Sequence, residues 1–409
     1  MTAVVIVGGG QAGLQTAVSL REFGFAGPVT LLGDETALPY QRPPLSKAYL
    51  AGTTDEAGLV LRSGGFFAER DINVLTGEQI ARIDREAGRV EGASGRVYPY
   101  VHLVLATGAR NRMLPGEAGA FGNVLYLRTL ADAARLRAGL ENAKRVVVLG
   151  AGFIGLEFAA VAAKRGLDVT VVEMAERPMA RALSPAMSAF FTAAHEAAGV
   201  RFRFGAAVAG VTGENGTATA VRLADGQVLA ADLVLVGIGV IPNAELARDA
   251  GLPGPGGIEV DETLATADPA ISAIGDCAVH PSRFGAGMPL RIESVQNAID
   301  QGRCVARRIT GHPEPYAAVP WFWSDQGPHK LQIVGLGAPG DEAVVRGDPG
   351  AGAVSVFRFR GDRLTAVESV NRPQDHMAAR RVLARGASLT RQEAGDTGFD
   401  LKAFAQRSG

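Results

Sequence analysis

The run Val4-Val5-Ile6-Val7-Gly8-Gly9-Gly10-Gln11-Ala12-Gly13 decides how this chain of 409 residues folds. Val4 to Val7 is apolar and β-branched throughout, the signature of a buried strand. A G-x-G-x-x-G turn follows, then a helical stretch to about Phe23, then a second apolar strand, Val29 to Leu32, ending in Gly33-Asp34-Glu35. Strand, glycine turn, helix, strand, acid is the order of a dinucleotide-binding unit. Gly8 permits the tight turn, Gly10 lets the backbone approach a pyrophosphate, and Gly13 lets helix and strand pack closely. The helix amino terminus offers free N–H groups and the positive end of its dipole to the phosphates. Asp34, 21 residues past the third glycine, is placed to accept from ribose hydroxyls.

The same order returns 142 residues later: strand Arg145 to Leu149, turn Gly150-Ala151-Gly152-Phe153-Ile154-Gly155, a helix to about Arg165, and strand Asp168 to Val172 closed by Glu173. One such turn alone is weak evidence, but two copies in full context point to two dinucleotides, a flavin and a nicotinamide. Glu173 would repel a 2′-phosphate and so favours NADH over NADPH, with Arg177 and Arg181 nearby as opposing charges. Further support comes from strands that end in small-residue turns. These are Leu103-Val104-Leu105-Ala106-Thr107-Gly108, Leu233 to Gly237-Ile238-Gly239, and Ala273-Ile274-Gly275-Asp276. Asp276 would be costly after an apolar strand without a partner; a ribityl hydroxyl supplies one, and a helix N-cap is the plainer alternative.

Composition narrows the field further. Glycine, 53 of 409, has no G-X-Y period, so its excess belongs to turns and close approaches. A formal charge of −1 argues against a nucleic-acid partner. Cys277 and Cys304 have no C-x-x-C spacing and the six histidines are scattered, so neither a redox disulfide nor a metal site is expected. The apolar runs are of strand length, so no membrane span is expected. The amino terminus enters a strand within three residues, which predicts a cytoplasmic protein.

Several motifs carry a family resemblance: Pro39-Tyr40-Gln41-Arg42-Pro43-Pro44-Leu45-Ser46-Lys47, Ala106-Thr107-Gly108-Ala109-Arg110, Leu127-Arg128-Thr129, Phe153-Ile154-Gly155-Leu156-Glu157, Ala273-Ile274-Gly275-Asp276-Cys277, Arg291 to Ala298, and Pro320-Trp321-Phe322-Trp323-Ser324-Asp325-Gln326. With these the chain resembles, over nearly its whole length, the FAD-dependent NADH:ferredoxin reductases of cytochrome P-450 and ring-hydroxylating dioxygenase systems. The fold class that follows is α/β: two Rossmann-like, glutathione-reductase-type dinucleotide-binding domains plus a carboxy-terminal α+β domain. The resemblance implies an FAD-binding domain at residues 1–110 and 244–317, an NADH-binding domain at 111–243, and an interface domain at 318–409.

By the same resemblance, Lys47 sits near flavin N5, Glu157 pairs with it and contacts the nicotinamide carboxamide, and Trp323 flanks the flavin and the nicotinamide path. Ala12, Asp34, Arg42, Ile80, Ala106, Thr107, Gly108, Arg128, Gly275, Asp276, Ser294 and Val295 are implied at the FAD. Phe153, Ile154, Gly237 and Gly239 join the second glycine turn and Glu173 at the NADH. The implied reaction takes a hydride from NADH and passes single electrons to a 2Fe-2S ferredoxin. An acidic ferredoxin calls for a basic patch, for which Arg62, Arg303, Arg307, Arg308 and Lys330 are candidates, Arg303 and Arg307 sharing one helical face. Rubredoxin reduction, another NADH-dependent flavin reductase, and a flavin-binding signalling role resembling that of apoptosis-inducing factor are the alternatives. Just after the tryptophan motif, Gly327-Pro328 stands where many relatives have a tyrosine-containing segment.

Overall fold

Short β-branched runs separated by helices pair in parallel, because a crossover of a dozen or more residues returns the chain to the same end of the sheet. The computed structural model, which describes residues 3–252 and 254–407, contains two such sheets. They belong to two compact units, one made of Met1–Gln41, Ala57–Arg110 and Ile241–Pro320, the other of Arg42–Glu56, Asn111–Val240 and Trp321–Gly409.

In the first unit the spatial order is Ile271–Ala273, His102–Leu105, Val4–Val7, Val29–Leu32, Ile72–Leu75, with Val4 opposite both Val29 and His102. Ile6, Leu31, Leu103, Val104 and Ile271 are fully buried, so both faces of this sheet are covered. Helices Gln11–Glu22 and Val295–Ile309 pack closely where Gly302 meets the carbonyl of Ala12; a Cβ there would lie 3.0 Å from that oxygen. A small antiparallel sheet, Ile80–Asp84, Arg89–Gly92 and Val97–Pro99, completes this unit.

The second unit repeats the plan in the order Arg201–Arg203, Asp168–Val172, Arg145–Leu149, Leu233–Val236, Val124–Leu125. Its carboxy-terminal part is a five-stranded antiparallel sheet, Trp321–Gln326, His329–Gly335, Arg363–Val370, Ala353–Arg360 and Glu342–Asp348, against which helix Pro373–Ala384 packs. That is the expected α/β class, with parallel sheets and an α+β carboxy-terminal part. Segment Arg42–Glu56, which lies between two stretches of the first unit in sequence, groups with the second.

A buried polar knot holds the second unit together. Glu368 is fully buried, pairs with Arg358 at 3.0 Å, and accepts from the Ser184 N–H at 2.8 Å and its hydroxyl at 2.6 Å. Ser184 in turn caps helix Pro185–Ala197 by accepting from the N–H of Met187.

Candidate active site

The first glycine turn shows which glycines are there for packing and which face open space. Gly8 has φ +122, and a Cβ on it would lie 2.1 Å from the Ala106 carbonyl oxygen. A Cβ on Gly13 would lie 2.1 Å from the oxygen of Gly8, whereas Gly10 meets nothing within 4 Å. Gly10 is also the N-cap of helix Gln11–Glu22, with no side-chain cap and no acid in the first turn. The first N–H groups of that helix are thus available to an anion, and the open face at Gly10 admits one.

Some of the expected residues of this unit follow the carboxyl ends of its parallel strands. Asp34 is exposed two residues past strand Val29–Leu32. Thr107 and Asn243 clamp each other: the Thr107 hydroxyl donates to the Asn243 carbonyl at 2.6 Å, and the Asn243 amide donates to the Thr107 carbonyl at 2.9 Å. Gly275 has φ +75, a Cβ on it would lie 3.3 Å from that of Ala12, and its N–H donates to the Gln301 side-chain oxygen at 2.7 Å. Half-buried Asp276 follows it. Ser294 caps helix Val295–Ile309 through the Asn297 N–H, so its side chain serves the helix end itself. Ile80 opens the small antiparallel sheet. Arg42, Lys47 and Arg128 belong to the second unit, where Arg42 donates to the Arg128 carbonyl at 2.7 Å.

The second turn has the same architecture. A Cβ on Gly150 would lie 2.5 Å from the Gly237 oxygen and one on Gly155 2.3 Å from the Gly150 oxygen, while Gly152 faces open space and caps helix Phe153–Lys164 without a side chain. Glu173 is held at the turn by two backbone donors, the N–H of Ala151 at 2.8 Å and of Ala175 at 2.9 Å, one to each oxygen. Arg177 is committed to its own loop, donating to the carbonyls of Leu183 and Ala180 and to the Ser188 hydroxyl. Arg181 is exposed.

One turn into the helix, Glu157 is buried, 4% exposed. It pairs with Lys47 at 2.9 Å and accepts from the hydroxyls of Ser46 and, at 2.6 Å, Ser324. Burial pushes its carboxyl above the ordinary carboxylate range, and Lys47 and the two serines pull it part of the way back. The rings of Phe153 and Phe322 lie 4.6 Å apart, tilted by 48°, and Trp321 and Trp323, on one face of their strand, lie 5.6 Å apart. Ile154 is 40% exposed, and Gly239, half-buried, has φ +105.

The chain that carries these two turns is similar to known proteins along nearly its whole length. A model of the family described as pyridine nucleotide-disulphide oxidoreductase matches residues 2–302. The chain belongs to that family. A second model, described as reductase C-terminal, matches residues 321–405. Rhodocoxin reductase of Rhodococcus erythropolis is 52% identical over 98% of this chain and 93% of its own length. The crystal structure of the ferredoxin reductase for the CYP199A2 system from Rhodopseudomonas palustris is similar at TM-score 0.97 and 49% identity, covering 99% of this chain and 100% of that one. The covalent putidaredoxin reductase–putidaredoxin complex is similar at TM-score 0.96 and 42% identity, covering 99% of both chains.

The chain carries two cysteines, Cys277 and Cys304. Both are free; Cys277 is fully buried, and burial pushes Cys304 up to about 11. Among the described residues no cluster of potential metal ligands is found, and no helix is long and apolar enough to cross a membrane. Of the basic docking candidates, Arg62, Arg303, Arg307 and Lys330 are exposed, with Arg307 paired to Glu314 at 3.2 Å. Arg308 is turned inward, its guanidinium bonded to the Pro269 carbonyl and the Ser272 hydroxyl, because the next helical position lies about 100° around the axis from Arg307. Sequence reasoning assigned no role to Ser46, Ser324, Gln326, Asn243 or Gln301; only the first three lay within quoted motifs, and nothing local marks a hydroxyl as a carboxylate's donor.

Proposed function

We propose that this chain is a cytoplasmic NADH:ferredoxin oxidoreductase that binds FAD in its first unit and NADH in its second. Its electrons go singly to a 2Fe-2S ferredoxin serving a cytochrome P-450 or a ring-hydroxylating oxygenase. The observation that carries the reading is the Lys47–Glu157 pair, buried behind the second glycine cradle and braced by Ser46 and Ser324. A buried ion pair of this kind costs desolvation and adds little stability, and this one stands one turn into the helix that the second glycine turn opens, where a dinucleotide would bind. Reductases of redoxin and ferredoxin systems are also the relatives this chain resembles along its full length.

The residues present fit the two groups: open ground at Gly10 and Gly152 beside uncapped helix ends, and carboxylates Asp34 and Glu173 for ribose hydroxyls. Bound FAD supplies the conversion of two-electron into one-electron chemistry. Lys47 supplies a cation that favours added electron density on the flavin ring. Glu157 holds Lys47 in place and offers its carboxylate to the nicotinamide carboxamide. Trp323 closes the path against water. Glu173 selects NADH, and Arg177, tied to its own loop, has few donors left for a 2′-phosphate. In this reading the FAD domain spans 1–110 and 244–317, the NADH domain 111–243 and the interface domain 318–409, with Arg62, Arg303, Arg307 and Lys330 drawing in an acidic ferredoxin.

Anaerobic mixing with NADH tests the proposal directly: the flavin should bleach rapidly, and an added 2Fe-2S ferredoxin should then turn over catalytically. Slow bleaching into a persistent charge-transfer complex, or fast turnover with oxygen alone, would reject it.

A further inference from the structure

The Glu157 carboxylate is the end of a longer buried chain. Ser324, whose hydroxyl donates to Glu157 at 2.6 Å, accepts from the Gln326 amide at 3.2 Å. Gln326 also donates to the Met179 sulfur at 3.4 Å, and its carbonyl oxygen meets His195 Nε2 at 2.8 Å. Ser324, Gln326 and His195 are 0%, 2% and 4% exposed. The direction of these bonds is set by chemistry. A thioether sulfur only accepts, so the amide nitrogen faces Met179 and Ser324, and the carbonyl oxygen faces His195, which must then carry its proton on Nε2. Met179 is itself held in a left-handed conformation, φ +50, and donates its N–H to Ala151 in the second glycine turn.

We propose that Gln326 and His195 are positioning residues for Glu157, holding the Ser324 hydroxyl so that it donates to the carboxylate beside Lys47. The inference rests on the reading of Glu157 as the acid that serves NADH. If His195 is lost, the amide is free to turn over, present its oxygen to Ser324, and draw the hydroxyl away from Glu157. Lys47 faces one end of the chain; His329, cross-strand partner of Gln326, faces the other beside His195. Burial lowers the proton affinity of both imidazoles, which favours the neutral donor–acceptor form the chain requires.

The test follows the carboxyl titration of Glu157 in oxidised holoprotein labelled with ¹³C-glutamate, without NADH, the signal being identified by its loss in Glu157→Gln. His195→Phe should raise the proton affinity of Glu157 roughly tenfold, the factor for one charge-assisted hydrogen bond, and Gln326→Leu, which removes the donor to Ser324 but leaves no oxygen to draw its hydroxyl away, should raise it by less. His195→Gln, which keeps an N–H donor near the Nε2 position, should stay within about twofold of wild type. The acid limb of the pH profile for NADH-dependent flavin bleaching should move by the corresponding factor in each of the first two variants. An unmoved Glu157 titration in both, in proteins of wild-type circular dichroism and thermal midpoint, overturns the inference. So does an equal shift in His195→Gln. A moved titration with an unmoved bleaching profile upholds the positioning chain and instead removes Glu157 from the NADH reaction.

Discussion

Removing Glu368 should damage the second unit far more than removing both members of its ion pair. In Glu368→Leu the Arg358 guanidinium stays buried, with the Ala338 carbonyl at 2.6 Å but no anion, and the N–H and hydroxyl of Ser184 lose their acceptor. Stranding one buried charge costs about 3–5 kcal/mol. With a urea slope of about 2–3 kcal/mol/M, the midpoint should fall by about 1–2 M. Both tryptophans, Trp321 and Trp323, lie in the second unit, so intrinsic fluorescence follows its unfolding. Glu368→Leu with Arg358→Met removes both charges, and the double variant should recover more than half of the loss, since two apolar side chains can share the vacated space. A midpoint shift below about 0.4 M for the single variant would refute the reasoning. So would a double variant no more stable than the single one.

Three other outcomes follow from the geometry. Burial, and then neighbouring Arg380, pushes His376 down to about 4 from 6.5, so the unfolded chain binds that proton more readily. Its contribution is therefore full above pH 6.5 and is lost as the pH falls towards 4, about 3 kcal/mol in all; His376→Phe should flatten this acid limb in urea titrations, and an unchanged limb would contradict it. Gly150→Ala, whose Cβ would lie 2.5 Å from the Gly237 oxygen, should destabilise the second unit, whereas Gly152→Ala, facing open space, should keep the melting temperature and raise the NADH KM at least tenfold; equal melting temperatures for the two variants would refute the distinction. Cys304→Ser should leave NADH-to-ferredoxin turnover within about twofold of wild type, because a thiol pushed up to about 11 is not a thiolate at neutral pH; a large loss would reinstate cysteine chemistry.

Much of the architecture was legible because it follows from local rules. The strand–turn–helix units around Gly8 and Gly150 form where the glycine spacing put them, since close approach of Ala106 and Gly237 excludes any side chain at those two positions. The alternate spacing of Trp321 and Trp323 likewise put both on one face of a strand. Arg308 shows the limit of such rules. Helical spacing separated it from Arg303 and Arg307, but its bonds to Pro269 and Ser272 depend on segments more than 30 residues away.

The sequence by itself determined two glycine turns, each with its strand before and helix after, and the absence of a C-x-x-C redox pair, because each depends on residues within a few positions of one another. Tertiary structure decided what stands behind the second cradle. Lys47, Glu157, Ser324, Gln326 and His195 come from four separated stretches of the chain. Their order and the direction of their hydrogen bonds arise only when burial removes water and leaves each polar group the partners that packing supplies.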